Sequence, residues 1–199
     1  MKRILPAVTV ALATALALSA CGGSDSGGEP SAPTSSSAPS EGAWSVSNCA
    51  SLDPPTTGAP VPADAVVEGE IATTADVALA PTVGVLEGAV AITSLVVSDV
   101  VAGSGDEVPA GATVTVEYCG VGLDSGAVFD SSWARGTPAT FPLSGVIAGW
   151  QEGIPGMTPG SRRLLVIPAG LAYGDAPPPG SGILPGETLV FVVDLISSP

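Results

Sequence analysis

The sequence predicts an α+β domain, a half-barrel of antiparallel strands with one short α-helix, behind an N-terminal extension. Three observations predict it. Residues 113–119 alternate strictly, with Val114, Val116 and Tyr118 on one face and Thr113, Thr115, Glu117 and Cys119 on the other, the period of a half-buried strand. Residues 189–196 repeat the pattern and place Leu189, Phe191, Val193 and Leu195 together. Between them, residues 146–154 carry Val146, Ile147, Trp150 and Ile154 along one helical edge, and Gly153 and Pro155 end the helix.

Taken in order, the chain opens outside that domain. Residues 1–20 have a basic start at Lys2 and Arg3, an apolar centre and small residues before Cys21. That centre is too short and too rich in Ala and Thr for a membrane span, so it reads as a secretory leader. The tetrad Leu18-Ser19-Ala20-Cys21 resembles the lipobox of bacterial lipoproteins. The resemblance implies that Cys21 is lipidated and holds the protein on the extracytoplasmic face of the cell membrane. Three acyl chains at ~0.8 kcal/mol per buried methylene give stable anchoring where one does not. Residues 21–43 are Ser, Gly, Pro, Ala and acids, too polar to bury a core, and read as a tether.

Trp44, Cys49 and Leu52 begin an ordered segment that Pro54, Pro55, Pro60 and Pro62 interrupt. Short strands are expected at 66–71 and 83–86 and a longer one at 90–100. Residues 44–87 are read as an extension packing on the outer sheet face, and residues 88–199 as the domain. Turn signals at 103–105, 109–111 and 124–126 separate its strands. Further strands are expected at 128–129, at 141–143 and at 162–167, the last closed by Pro168. A Pro/Gly loop containing Tyr173 follows.

Composition excludes several classes. The chain has no His, which removes the commonest general base and transition-metal ligand. Its five Lys and Arg residues against a net charge of -14 cannot neutralise a phosphate backbone, so no nucleic acid is expected. Ser131, Ser132 and Ser144 have no imidazole to activate them as nucleophiles. Neither a metal nor a cofactor is called for.

Five strings then carry a resemblance: VTVEYCG at 114–120, VFDSSWARGTPATF at 128–141, VIAGWQEGIPGM at 146–157, LAYG at 171–174 and ILPGETLVF at 183–191. In this order they resemble the FKBP-type peptidyl-prolyl cis-trans isomerases. The resemblance implies a twisted antiparallel sheet wrapped around the short helix, with a substrate pocket between them. Trp150 is then the pocket floor, with Tyr118, Phe129, Phe141 and Phe191 as aromatic walls and Val146 and Ile147 at the rim. Tyr173 and Asp130 are its polar members, and Ile183 and Leu184 come from a neighbouring loop. Tyr173 donates to a substrate carbonyl, the Ile147 N–H binds another, and Asp130 pairs with Arg135. Tyr173, Asp130, Tyr118, Trp150 and Phe191 are the expected catalytic group, and the other lining residues bind substrate. The implied partners are proline-containing polypeptides and macrolide inhibitors, met by a monomer.

The chain departs from the family pattern at Pro138-Ala139-Thr140-Phe141, where an aromatic residue is common in place of Ala139. The segments at 141–146 and 185–188 are also short. Weaker activity and a more open site are expected, and a proline-peptide-binding or chaperone module with little turnover is the alternative reading. With Cys21 lipidated, Cys49 and Cys119 remain in an oxidising compartment. Cys119 faces outward beside the apolar Leu164, Val166, Val190 and Val192, so a Cys49–Cys119 disulfide is expected to pin the extension over that face.

Overall fold

A computed structural model describes residues 42–198. The leader at 1–20, the lipidation of Cys21 and nearly all of the tether at 21–43 lie outside the described residues. The extension is more regular than its prolines suggest. Its strands β1 (Trp44–Asn48), β2 (Thr56–Ala59), β3 (Ala65–Glu68), β4 (Ile71–Thr74) and β5 (Thr82–Leu86) form a five-stranded antiparallel sheet in the order β2-β1-β5-β4-β3. The single strand expected at 66–71 is a hairpin that reverses at Gly69, pairing Glu68 with Ile71 and Ala65 with Thr74.

The second sheet has β6 (Val96–Val101), β7 (Thr113–Gly122) and β8 (Val128–Ser131), followed by the one-turn helix α1 (Ser132–Arg135). Then come β9 (Ala139–Pro142), a 3₁₀ turn at Leu143–Gly145, helix α2 (Ala148–Gly153), β10 (Arg162–Ile167) and β11 (Leu189–Ser197). The strand order is β6-β10-β11-β7-β8, with β9 also paired to β7. Four expectations are corrected. The strand expected at 90–100 starts at Val96, because its partner β10 runs out at Ile167 before Pro168. The strand expected at 141–143 is shifted to Ala139–Pro142 by its pairing of Thr113 with Pro142 and Val116 with Ala139. Val146 and Ile147 precede α2 instead of belonging to it, and α1 adds a second helix to the one expected.

Both faces of the larger sheet are covered. On the inner face Val114, Val116, Tyr118, Leu165, Ile167, Leu189, Phe191 and Val193 pack against Trp150, Ile154 and Met157. On the outer face Cys119, Val121, Leu164, Val166, Val190 and Val192 pack against Cys49, Ile71, Val83 and Val85 of the extension. This double burial explains why β10 reads as a continuous apolar run after its arginines instead of alternating. Cys49 and Cys119 form a disulfide. Closing 70 residues of chain removes denatured-state entropy worth roughly 4 kcal/mol in the loop-closure description.

The arginines complete the joint. Arg162, fully buried, makes two hydrogen bonds to Asp194 at 2.6 and 2.7 Å and donates to the carbonyls of Thr74 and Leu79 in the extension. Burial holds the Asp194 carboxyl above its usual range; Arg162 pulls it back down, and the facing Glu117 pushes it up again. Arg163 pairs with Asp99 on β6 and donates to the carbonyls of Gly153 and Pro155, satisfying the end of α2.

Candidate active site

Helix α2 lies unusually close to the sheet, and two glycines permit it. A Cβ on Gly149 would sit 2.4 Å from Ile167 Cγ2, and one on Gly153 would sit 2.7 Å from Leu165 Cδ2. The close approach lowers the Trp150 indole into the inner core, where it meets three rings edge to face. The centroid separations are 5.4 Å to Tyr118, 5.8 Å to Phe141 and 5.3 Å to Phe191. Phe129 stands against Phe191 at 5.5 Å. Gly120 makes room for that pair, since a Cβ there would be 2.5 Å from Phe129 and 2.9 Å from Phe191. Such perpendicular pairs contribute about 0.5–1.5 kcal/mol each beyond burial.

These five rings open on one cavity of about 480 Å³, lined also by Asp130, Gly145, Val146, Ile147 and Tyr173. Nine of the residues singled out in the sequence therefore share one opening to solvent: Tyr118, Phe129, Asp130, Phe141, Val146, Ile147, Trp150, Tyr173 and Phe191. Ile183 and Leu184 do not line it. The buried carboxylate of Glu187 accepts the Leu184 N–H at 2.8 Å and folds the loop back, leaving Leu184 49 % exposed and Ile183 leaning on the core.

The polar edge is a three-membered network. Tyr118 donates its hydroxyl to Asp130 at 2.5 Å, and Arg135 donates both to Asp130 and, at 2.9 Å, to the Tyr118 oxygen. The guanidinium carbon also lies 5.4 Å from the centre of the Tyr118 ring. Burial, reinforced by the hydrogen bond to Asp130 and partly offset by Arg135, pushes the Tyr118 phenol up to about 12, so it remains a donor throughout the neutral range. Arg135 is held above its usual value because its bonds to Tyr118 and Asp130 outweigh its partial burial.

Sequence reasoning missed the support behind this edge. Ser131 caps α1 by accepting the Ala134 N–H at 3.2 Å, and Ser132 accepts the Tyr118 N–H at 2.8 Å while donating to Glu117. The spacing Ser131 to Ala134, followed by Gly136 at the left-handed C-cap, is a helix signal that one turn is too short to announce. Gly145 at the rim and the close-packing Gly149 carried no signal without a partner surface.

Comparison with known proteins identifies the family. The sequence profile of the FKBP-type peptidyl-prolyl cis-trans isomerases matches residues 105–196. A probable FK506-binding protein of Corynebacterium glutamicum is 56% identical over 105 residues, covering 52% of this chain and 86% of that protein. An FK506-binding protein of Streptomyces anulatus is 50% identical over 105 residues, covering 52% of this chain and 85% of its own. The crystal structure of FkpA from Escherichia coli superposes with a TM-score of 0.49 at 45% identity, covering 54% of this chain and 51% of that one. The chain belongs to the FKBP-type peptidyl-prolyl cis-trans isomerase family. It is accordingly a peptidyl-prolyl cis-trans isomerase, and the extension at 44–87 lies outside the matched residues.

Proposed function

We propose that this isomerase is anchored by lipid at Cys21 on the extracytoplasmic face of the cell membrane, and that it acts as a monomer on exported polypeptides. The lipobox-like tetrad at 18–21 and the polar stretch at 21–43 support the anchor. The Cys49–Cys119 disulfide supports an oxidising compartment.

Within the cavity, one observation carries the assignment of roles. A basin with Trp150, Phe129, Phe141 and Phe191 in its lining also presents Tyr118, Asp130 and Tyr173, and Arg135 holds the first two from behind. Rotation about an Xaa–Pro bond faces a barrier of about 18–20 kcal/mol, set by the double-bond character of C–N. The rotated amide has lost resonance and its carbonyl is less polar than in the planar form. A basin that excludes water therefore binds the twisted imide better than the planar one, and each ~1.4 kcal/mol of that difference is tenfold in rate. The proline ring sits over Trp150 between Phe191, Phe129 and Phe141, with Val146 and Ile147 against the chain. Tyr173 donates to one substrate carbonyl and the Ile147 N–H to another, while the Tyr118–Asp130–Arg135 network forms the polar wall. No nucleophile or general base takes part. The names of the two relatives, which bind FK506, support occupation of the same basin by a macrolide.

A protease-coupled tetrapeptide assay on the chain from Trp44 onward tests the roles, with Tyr173→Phe and Asp130→Val as comparisons. Equal turnover in all three proteins would remove both residues from the mechanism. Palmitate incorporation by the wild-type chain but not by Cys21→Ser tests the anchor, and equal labelling of the two overturns it.

A further inference from the structure

We infer that Cys49, in the extension, is a positioning residue for the isomerase site, holding Tyr118 and Asp130 together from the opposite face of the sheet. The inference rests on the roles proposed above for Tyr118 and Asp130. It follows from the two-residue period of strands. Tyr118 and Asp130 face inward, on β7 and β8, and meet in a hydrogen bond. The next residue of each strand, Cys119 and Ser131, faces outward, and these two are paired across the ladder. Cys49 engages both. Its sulfur is bonded to Cys119, and its carbonyl accepts the buried hydroxyl of Ser131 at 2.6 Å.

The inner pair needs such a brace. The β7–β8 ladder that carries Asp130 has three partner pairs and an irregularity between Gly120 and Val121, immediately beside the Gly120–Asp130 pair. Few ladder bonds therefore fix the height of Asp130 relative to Tyr118. The same Ser131 oxygen caps α1, the single turn that delivers Arg135 to both residues. A turn of that length does not hold itself, so its cap decides where the guanidinium stands. Cys49 is in turn fixed, fully buried and donating its N–H to the carbonyl of Pro81 at 3.0 Å, ahead of β5. One residue of the extension thus ties down the strand of Tyr118, the strand of Asp130 and the cap behind Arg135. Cys49 and its partner Pro81 lie outside the part of the chain that matches the family.

The test uses the full chain in detergent and three variants: Ser131→Ala, Ser131→Thr, and the pair Cys49→Ser with Cys119→Ser. Tyr118→Phe serves as the reference for the site itself. Ser131→Ala and the cysteine pair are expected to lower kcat roughly three- to tenfold with KM little changed, the pattern of misplaced reacting groups. The chain has two tyrosines, so tyrosinate absorbance also follows Tyr118 directly. Its titration is expected to move in both variants, a change that mere loss of stability does not produce while the fold persists. Ser131→Thr, which keeps the hydroxyl, is expected to restore both readouts. If the cysteine pair loses its near-ultraviolet circular dichroism, the pair Cys49→Ala with Cys119→Ala takes its place. A Tyr118→Phe protein that loses turnover beside a Ser131→Ala protein unchanged in kcat and in titration overturns this inference alone. No loss in either overturns the proposed roles in the site, and the inference with them.

Discussion

Tyr118 and Asp130 share a hydrogen bond of 2.5 Å in the lining of the aromatic cavity. The bond leaves the phenol protonated and the carboxylate neutralised by Arg135, so the wall presents polarity without a free charge. Tyr118→Phe removes the donor while keeping the ring against Trp150. The bond is internal to the protein, so its loss is expected to cost about 1.5–3 kcal/mol of stability, and kcat/KM is expected to fall severalfold as Asp130 and Arg135 lose their fixed positions. The tetrapeptide assay checks this, and unchanged kcat/KM would detach the network from catalysis.

The same phenol makes stability depend on alkaline pH. An unfolded tyrosine titrates near 10.0, whereas folded Tyr118 titrates at about 12. Between those values the unfolded chain releases a proton that the native protein keeps, so unfolding becomes easier as pH rises. The contribution is complete below pH 10.0 and is lost progressively towards 12. Urea midpoints measured on either side of pH 10.0 are expected to drop in the wild type and to drop less in Tyr118→Phe. Equal drops assign the effect to other groups.

Gly149 sets the depth of Trp150. A methyl group 2.4 Å from Ile167 Cγ2 must lift α2 or displace the isoleucine. Gly149→Ala is expected to cost about 1–3 kcal/mol of stability despite the better helix propensity of alanine. Because the next residue is the floor of the basin, kcat/KM is expected to fall as well. Denaturation and the isomerase assay on one preparation separate the two effects.

Ala139 and Phe141 lie on the same face of β9, and Ala139 already rests against the inner core. Ala139→Phe places a ring beside Phe141 and extends the wall that the sequence lacks. A several-fold rise in kcat/KM, with tighter macrolide binding by calorimetry, is the expected outcome. A fall in both would show that the core has no room for the ring.

Arg162 has no exposed surface and serves Asp194, Thr74 and Leu79 together. Arg162→Met leaves a carboxylate buried without its partner and two carbonyls without their donor. The expected loss is about 3–5 kcal/mol in chemical denaturation. Hydrogen exchange should show the loop at Thr74 and Leu79 opening first, and a loss under 1 kcal/mol would mean that water replaces the guanidinium.

How much of this was legible depended on how local each signal was. The alternation in β7 and β11 and the helical spacing of Trp150 and Ile154 are short-range patterns, and they located the inner face and the floor. The apolar outward residues Leu164, Val166, Val190 and Val192 showed that something must cover that face. They could not show that the cover is a five-stranded sheet, because its strands are four or five residues long and separated by prolines. The setting of Leu184 was hidden for a related reason. Its position is decided by Glu187 three residues on, a buried carboxylate whose partners no pattern in the sequence reveals. The role of Ser131 needed two surfaces 82 residues apart in the chain to be brought together.

The arginine pairings have a consequence for encounters in solution. Arg135, Arg162 and Arg163 each face a carboxylate, and the described residues contain no lysine, so no unmatched cation interrupts the field at the surface. A polycationic chain drifting past is drawn in before any proline is recognised, over a range of about 8–10 Å at ordinary ionic strength. Anionic chains are held off by the same field. Added salt weakens both effects, so the ionic strength of the surroundings sets how far the field of the protein reaches.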